Sequence, residues 1–176
     1  AHSLLHTGNF IQHYTLYNNS INNPHINHTM EYKKIDIVFD INRILEQSSA
    51  MAALLASTKD PYTARPTRID LDNTATLIPF ALESIMEATS RLMGYAEALD
   101  LDSARESGLV TFTISLPESV PAPVVTMVRI ALEQAVAAHI LYLLYAGDEA
   151  ATKEQNTMRE LFGQNISRAL APLAIY

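Results

Sequence analysis

The chain has 176 residues, a formal net charge of −7, 48% hydrophobic side chains and no cysteine. That length suits one domain with a sizeable core, and the missing cysteine excludes disulfides, thiolate metal sites and cysteine nucleophiles. An acidic chain whose longest basic run is Lys33-Lys34 lacks the basic stripe that nucleic-acid recognition requires.

Charge is unevenly spread. All 12 Lys and Arg and all 19 Asp and Glu residues lie beyond Met30. Residues 1–29 are instead rich in Asn and hold His2, His6, His13, His25 and His28, five of the six histidines. The spacings His2/His6 and His25/His28 can present two imidazoles to one metal ion. Against this, the segment offers no periodic face to bury, as in a flexible tail. Apart from Gly8, every residue from His2 to Thr29 can be encoded without guanine, and Asp, Glu, Val and Ala are missing from that stretch. Translation through a guanine-poor leader gives this composition. The expectation is therefore a disordered or non-native leader over 1–29 and a single helical domain over 30–176.

Beyond Met30, Ile35, Ile37 and Phe39 alternate with Asp36 and Val38, which predicts a short strand at 35–39. Asp40 suits a helix N-cap, and Ile41, Ile44, Leu45 and Ala52 continue at helical spacing to about residue 57. Pro61 and Pro66 break that helix and open a long connection over 58–68. A second helix is expected from about Asp72 to Leu99, with Ile78, Ile85, Leu92 and Leu99 recurring every seventh residue and Pro79 forcing a late start or a kink.

Strict alternation over 109–116 predicts a half-buried strand, with Val110, Phe112, Ile114 and Leu116 on one face and Thr111, Thr113 and Ser115 on the other. Its backbone needs a partner, and 35–39 is the available one. After Pro117, Pro121 and Pro123, the residues 124–145 are apolar nearly all round and predict a central, enclosed helix ending before Gly147. A last helix is expected over 149–170, stopped by Pro172. The expected fold is mainly α: a four-helix, bundle-like domain with a small β-ribbon (35–39 and 109–116) between helices two and three. The most apolar stretch, 135–146, is too short to span a bilayer, so no membrane association is expected.

Reactive constellations are scarce. Asp70/Asp72 precede a helix and suit capping, while Asp100/Asp102 open a turn and lack the further oxygen ligands of a calcium loop. His139 lies on the central helix near Tyr142 and Tyr145, where a hydrogen-bonded structural role is favoured over proton transfer. Arg129 and Glu133 are spaced for an intrahelical pair. No serine sits in a strand–turn–helix glycine frame, and five glycines in the whole chain do not form a phosphate loop. Neither enzymatic activity nor a cofactor or metal is expected.

Taken in order, the body resembles small helical structural proteins of tailed phages and of prophages in Bacteroidetes hosts. The resemblance spans most of 33–173. It is carried by a strand and first helix over 35–57, the acidic helix start Arg68-Ile69-Asp70-Leu71-Asp72-Asn73, the strand Phe112-Thr113-Ile114-Ser115-Leu116-Pro117, and a last helix with Arg168 shortly before Pro172. A tryptophan expected at the end of the central helix is replaced here by Leu144-Tyr145, and three residues separate Arg168 from Pro172.

The resemblance implies a virion-assembly subunit, such as a head–tail connector, neck or tail-completion protein acting in a ring. Its partners would be further copies and other virion proteins, and its location the host cytoplasm and then the particle. The residues expected to make such contacts are Leu109, Thr111, Thr113 and Ser115 on the strand and Tyr62, Arg65 and Arg68 in the connection. The alternative is a small-molecule-binding or regulatory bundle with a pocket at His139, Tyr142 and Tyr145. Mass spectrometry of the native protein is expected to recover peptides from Met30 onward and none from residues 1–29.

Overall fold

A computed structural model describes residues 30–57 and 69–176. The leader and the connection bearing Tyr62, Arg65 and Arg68 lie outside the described residues.

The chain opens with β1 (Tyr32–Asp40) and passes directly into α1 (Ile41–Ser57). The Asp40 carboxylate accepts the Arg43 backbone N–H at 3.2 Å and starts that helix. A 3₁₀ turn at Leu71–Thr76 leads into α2 (Ile78–Ser90). Pro79 sits in the first turn of α2, where its missing N–H costs nothing. The late start is realised.

The seam of seventh residues holds only in part. Ala81, Ile85, Ala88 and Leu92 are buried, but α2 ends at Ser90 and the chain turns into β2 (Ala96–Asp100). The expected helix to Leu99 is thus corrected. Alternation in 109–116 marks one strand with two edges to satisfy, and β1 covers only one of them. Gly94 lies where the chain reverses, and Tyr95 C=O accepts the Ser115 N–H at 2.8 Å, so the other edge recruits 96–100.

Next come the short α3 (Ala104–Ser107) and β3 (Leu109–Pro117), joined through Gly108 in the left-handed region at φ +69°, a geometry that favours glycine. α4 (Ala122–Tyr145) follows, then a 3₁₀ turn and α5 (Thr152–Leu170). The strand order is β1-β3-β2 with both pairings antiparallel, so the expected two-stranded ribbon is a three-stranded sheet. Ile35 faces Ile114, Ile37 faces Phe112 and Phe39 faces Val110. The fold is mainly helical with this small sheet.

α4 is the centre. It packs along α5 and against α2 and α1. Leu132, Ala135, Val136, Ala137, Ile140 and Leu141 on it are fully buried. By length and composition α4 is apolar enough to cross a bilayer, and 56% of its most apolar stretch is buried within the protein.

Two polar groups in the core tie α1 to α4. The Ser48 hydroxyl lies 3.0 Å from the Ala137 carbonyl and 3.1 Å from that of Ile44. The buried Glu133 carboxylate meets the Arg43 guanidinium from α1, with Arg129 at 3.9 Å. The Arg129/Glu133 pair expected within α4 is present at 3.9 Å, and Arg43 adds to it a tie between α4 and α1. Phe112→Ala, at a fully enclosed position, is expected to cost about 3–5 kcal/mol in urea unfolding. Met93→Ala, at a 78% exposed position, should stay within about 0.5 kcal/mol of wild type.

Candidate functional site

Two regions collect the side chains singled out by sequence. The first is the outer face of the sheet. Thr111, Thr113 and Ser115 lie half-buried on it and Leu109 is exposed at its end. On β1, Lys34, Asp36 and Val38 flank them, and all three are exposed. Asp36 accepts the Thr113 hydroxyl at 2.6 Å, and Lys34 reaches across the sheet to Glu97 at 3.5 Å.

The strand expected to offer an edge to a neighbour, 109–116, is the central one. Its backbone is bonded on both sides, so it cannot accept an added strand. Only its outward side chains remain for contact, and among the described residues the free edges belong to β1 and β2. Nothing in the alternation of a single strand distinguishes a central position from an edge, so only the tertiary structure places 109–116 at the centre.

The second region surrounds His139 on α4. Its Nδ1 lies 3.0 Å from the Ser84 hydroxyl of α2. Its ring stacks obliquely against Tyr142 at 5.4 Å and Phe162 of α5 at 5.0 Å. Ser84 is fully buried, so its hydroxyl anchors the imidazole and is closed to any substrate. A cleft of about 240 Å³ opens beside the ring, lined by Glu87, Arg91, His139, Tyr142, Arg159 and Phe162. It lies between α2, α4 and α5 and is open to solvent.

Tyr145, expected beside His139 in this pocket, is buried and does not line the cleft. The cleft is formed instead by Glu87, Arg91 and Arg159, charged residues that sequence spacing did not single out. Glu87 on α2 and Arg91, which caps the end of that helix, stand four apart and bond each other, Arg91 Nε donating to Glu87 Oε1 at 3.0 Å. Arg159 comes from α5. Only the packing of three helices brings these groups together.

Burial lowers the His139 pKa below its ordinary value of 6.5, while the nearby Glu87 and Glu83 carboxylates pull it back up and Arg91 adds to the lowering. The two Asp-Leu-Asp strings are local caps. Asp70 accepts the Asp72 N–H at 3.0 Å. Asp100 accepts the Asp102 N–H at 3.0 Å and the Ser103 hydroxyl at 2.8 Å, and these bonds, the hydroxyl's first, lower its pKa. Among the described residues no three His, Asp or Glu side chains converge as a metal-ligand group.

Comparison with known proteins finds no matching family model, no matching curated protein and no matching solved structure.

Because folding depresses the His139 pKa, the unfolded chain binds this proton more readily than the native state. The contribution to stability is therefore complete above about pH 6.5 and is lost as the pH falls through that value and toward the lower folded pKa. Urea unfolding at about pH 7.5 and about pH 5.5 is expected to show a drop for wild type that His139→Gln reduces. Equal drops would remove His139 as the titrating group.

Proposed function

We propose that this chain is a non-enzymatic structural or assembly protein of a phage or prophage particle, such as a head–tail connector, neck or tail-completion subunit acting in an oligomeric ring. Its body is then a four-helix, bundle-like unit of α1, α2, α4 and α5, and the sheet is its docking element. It works with further copies and other virion proteins, first in the host cytoplasm and then in the particle, without reading nucleic-acid sequence or binding membrane.

The observation that carries this reading is where the chain spends its polar chemistry. Ser48, Ser84, Glu133 and His139 each bond to another element of the same fold. The surface, by contrast, presents two strand edges and exposed apolar side chains such as Met86, Met93, Met127 and Ile130. Of these, Met86 and Met93 line one groove beside β2, apolar surface suited to a partner, and a sheet edge is a ready template for an added strand. The order of strands, loop and helices from Ile35 to Pro172 supports the phage assignment through the resemblance.

Proteomics of particles purified from an induced host culture tests the proposal. The chain is expected to co-purify with capsid, portal and tail proteins, its gene lying beside theirs. A chain confined to the soluble fraction, with its gene in a metabolic operon, would sink the reading.

The small-molecule alternative draws on the cleft at His139 and Tyr142. It requires that a ligand stabilise the native state in proportion to its occupancy. Thermal melting against a library of small organic acids and amines should show a shift that Tyr142→Ala abolishes. The assembly reading expects no shift.

A further inference from the structure

The two edges of the sheet are built differently. β2 is the defended one: five residues long, with a register shift between Ala96 and Ala98 and with Glu97 and Asp100 along it. Short length, bulges and charges all discourage strand addition. β1 lacks the first two devices and runs nine residues in unbroken register with β3.

The direction of its backbone groups follows from the pairing. Glu118 N–H donates to Glu31 C=O at 2.9 Å, and Ile41 N–H donates to Gly108 C=O at 2.9 Å. Both pairs continue the β1–β3 register, so the odd-numbered positions of β1 exchange bonds with β3. The even-numbered positions therefore aim their N–H and C=O groups at the free edge. No described residue supplies a partner there.

The even-numbered positions also carry the outer-face side chains Tyr32, Lys34, Asp36 and Val38, in the order apolar, positive, negative, apolar. Run antiparallel to itself, that order is self-complementary. We propose that β1 pairs antiparallel with β1 of a second copy across a two-fold axis at Ile35, joining two sheets into one of six strands. In this register Lys34 faces Asp36 of the second copy twice over, and Tyr32 faces Val38.

Two-fold contacts require a patch that complements itself, and the neighbouring registers fail that requirement. Moving the axis by one residue either way sets Lys34 against Lys34 or Asp36 against Asp36, and like charges directly opposite are destabilising. The chosen register covers Tyr32 and Val38, which are 59% and 40% exposed. It also brings Ile35 against its own copy beside the core. Lys33 does not oppose it, because its ammonium is committed to the Val120 and Glu118 carbonyls at 2.6 and 3.0 Å. The internal pair of Lys34 with Glu97 is solvent-exposed on both sides and competes weakly.

The contact is small, so the dimer is a weak one, populated at about 10–100 µM. It stands apart from the virion reading, since a two-fold contact closes on itself and does not propagate a ring; ring neighbours would use the outward side chains of β3 and the exposed apolar side chains of the helices.

Sedimentation velocity on the full chain at rising concentration tests the pairing, with circular dichroism confirming the fold of each variant. Wild type is expected to dimerise. Lys34→Asp and Asp36→Lys alone each oppose like charges and should weaken the dimer by about tenfold or more. Mixed together, the two variants present opposite charges across both pairs and should form a heterodimer at wild-type strength. Should either variant misfold, Val38→Lys sets an ammonium against Tyr32 of the second copy and should abolish dimerisation.

A wild type that stays monomeric at about 500 µM, a single variant that dimerises undiminished, or a mixture no stronger than its parts would each overturn the pairing. So would larger oligomers indifferent to these charges. None of those results touches the presence of the chain in particles, so the two proposals fail separately.

Discussion

Enclosing α4 is the constraint on which the rest of this structure depends. A helix of 24 residues with apolar side chains on nearly every face must be covered on several flanks at once, although Met127 and Ile130 near its start stay exposed. α5 covers one flank along its length, and α1 and α2 cover others. The buried face of the sheet supplies Phe112, Ile114 and Leu116 to the same core. The Arg43–Glu133 tie and the Ser48 hydroxyl bonded to the Ala137 carbonyl then fix how α1 lies along α4. A lone buried carboxylate would cost several kcal/mol, so α1 cannot slide past α4 without exposing that cost.

The sheet obeys a second constraint of the same kind. β3 buries one face against the helices and leaves a hydrogen-bonding edge on each side. β1 satisfies one edge, and the chain satisfies the other by breaking a heptad-like seam after Leu92. Leu99 continues the seam by spacing, yet it sits half-buried in β2. The local helical pattern lost to the backbone bonds that β3 would otherwise leave unmade. What results is a sheet with one short, bulged and acidic edge and one long, regular edge. That asymmetry is the most distinctive feature of the surface.

Functionally, the polar residues that look reactive in isolation are absorbed by the architecture. His139 is anchored by a buried serine and held between two aromatic rings. The Asp-Leu-Asp strings cap turns through a main-chain N–H two residues on. These are roles in holding the fold.

The sequence by itself determined the elements whose periodicity is strong and local: β1 with its Asp40 cap, α1, the late start at Pro79, β3 with its two unlike faces, the all-round apolar α4 and the final helix. These were legible because alternation, helical spacing and capping act over a few residues and are written directly in side-chain type. Only the tertiary structure decided what depends on partners distant in the chain. It placed β3 at the centre of its sheet, turned 96–100 into a strand, gave Glu133 its arginine from α1, and gathered Glu87, Arg91 and Arg159 around His139 in place of Tyr145. Hydrogen-bond satisfaction at a sheet edge and the meeting of charges from three helices are properties of neighbours in space, and no local pattern records them.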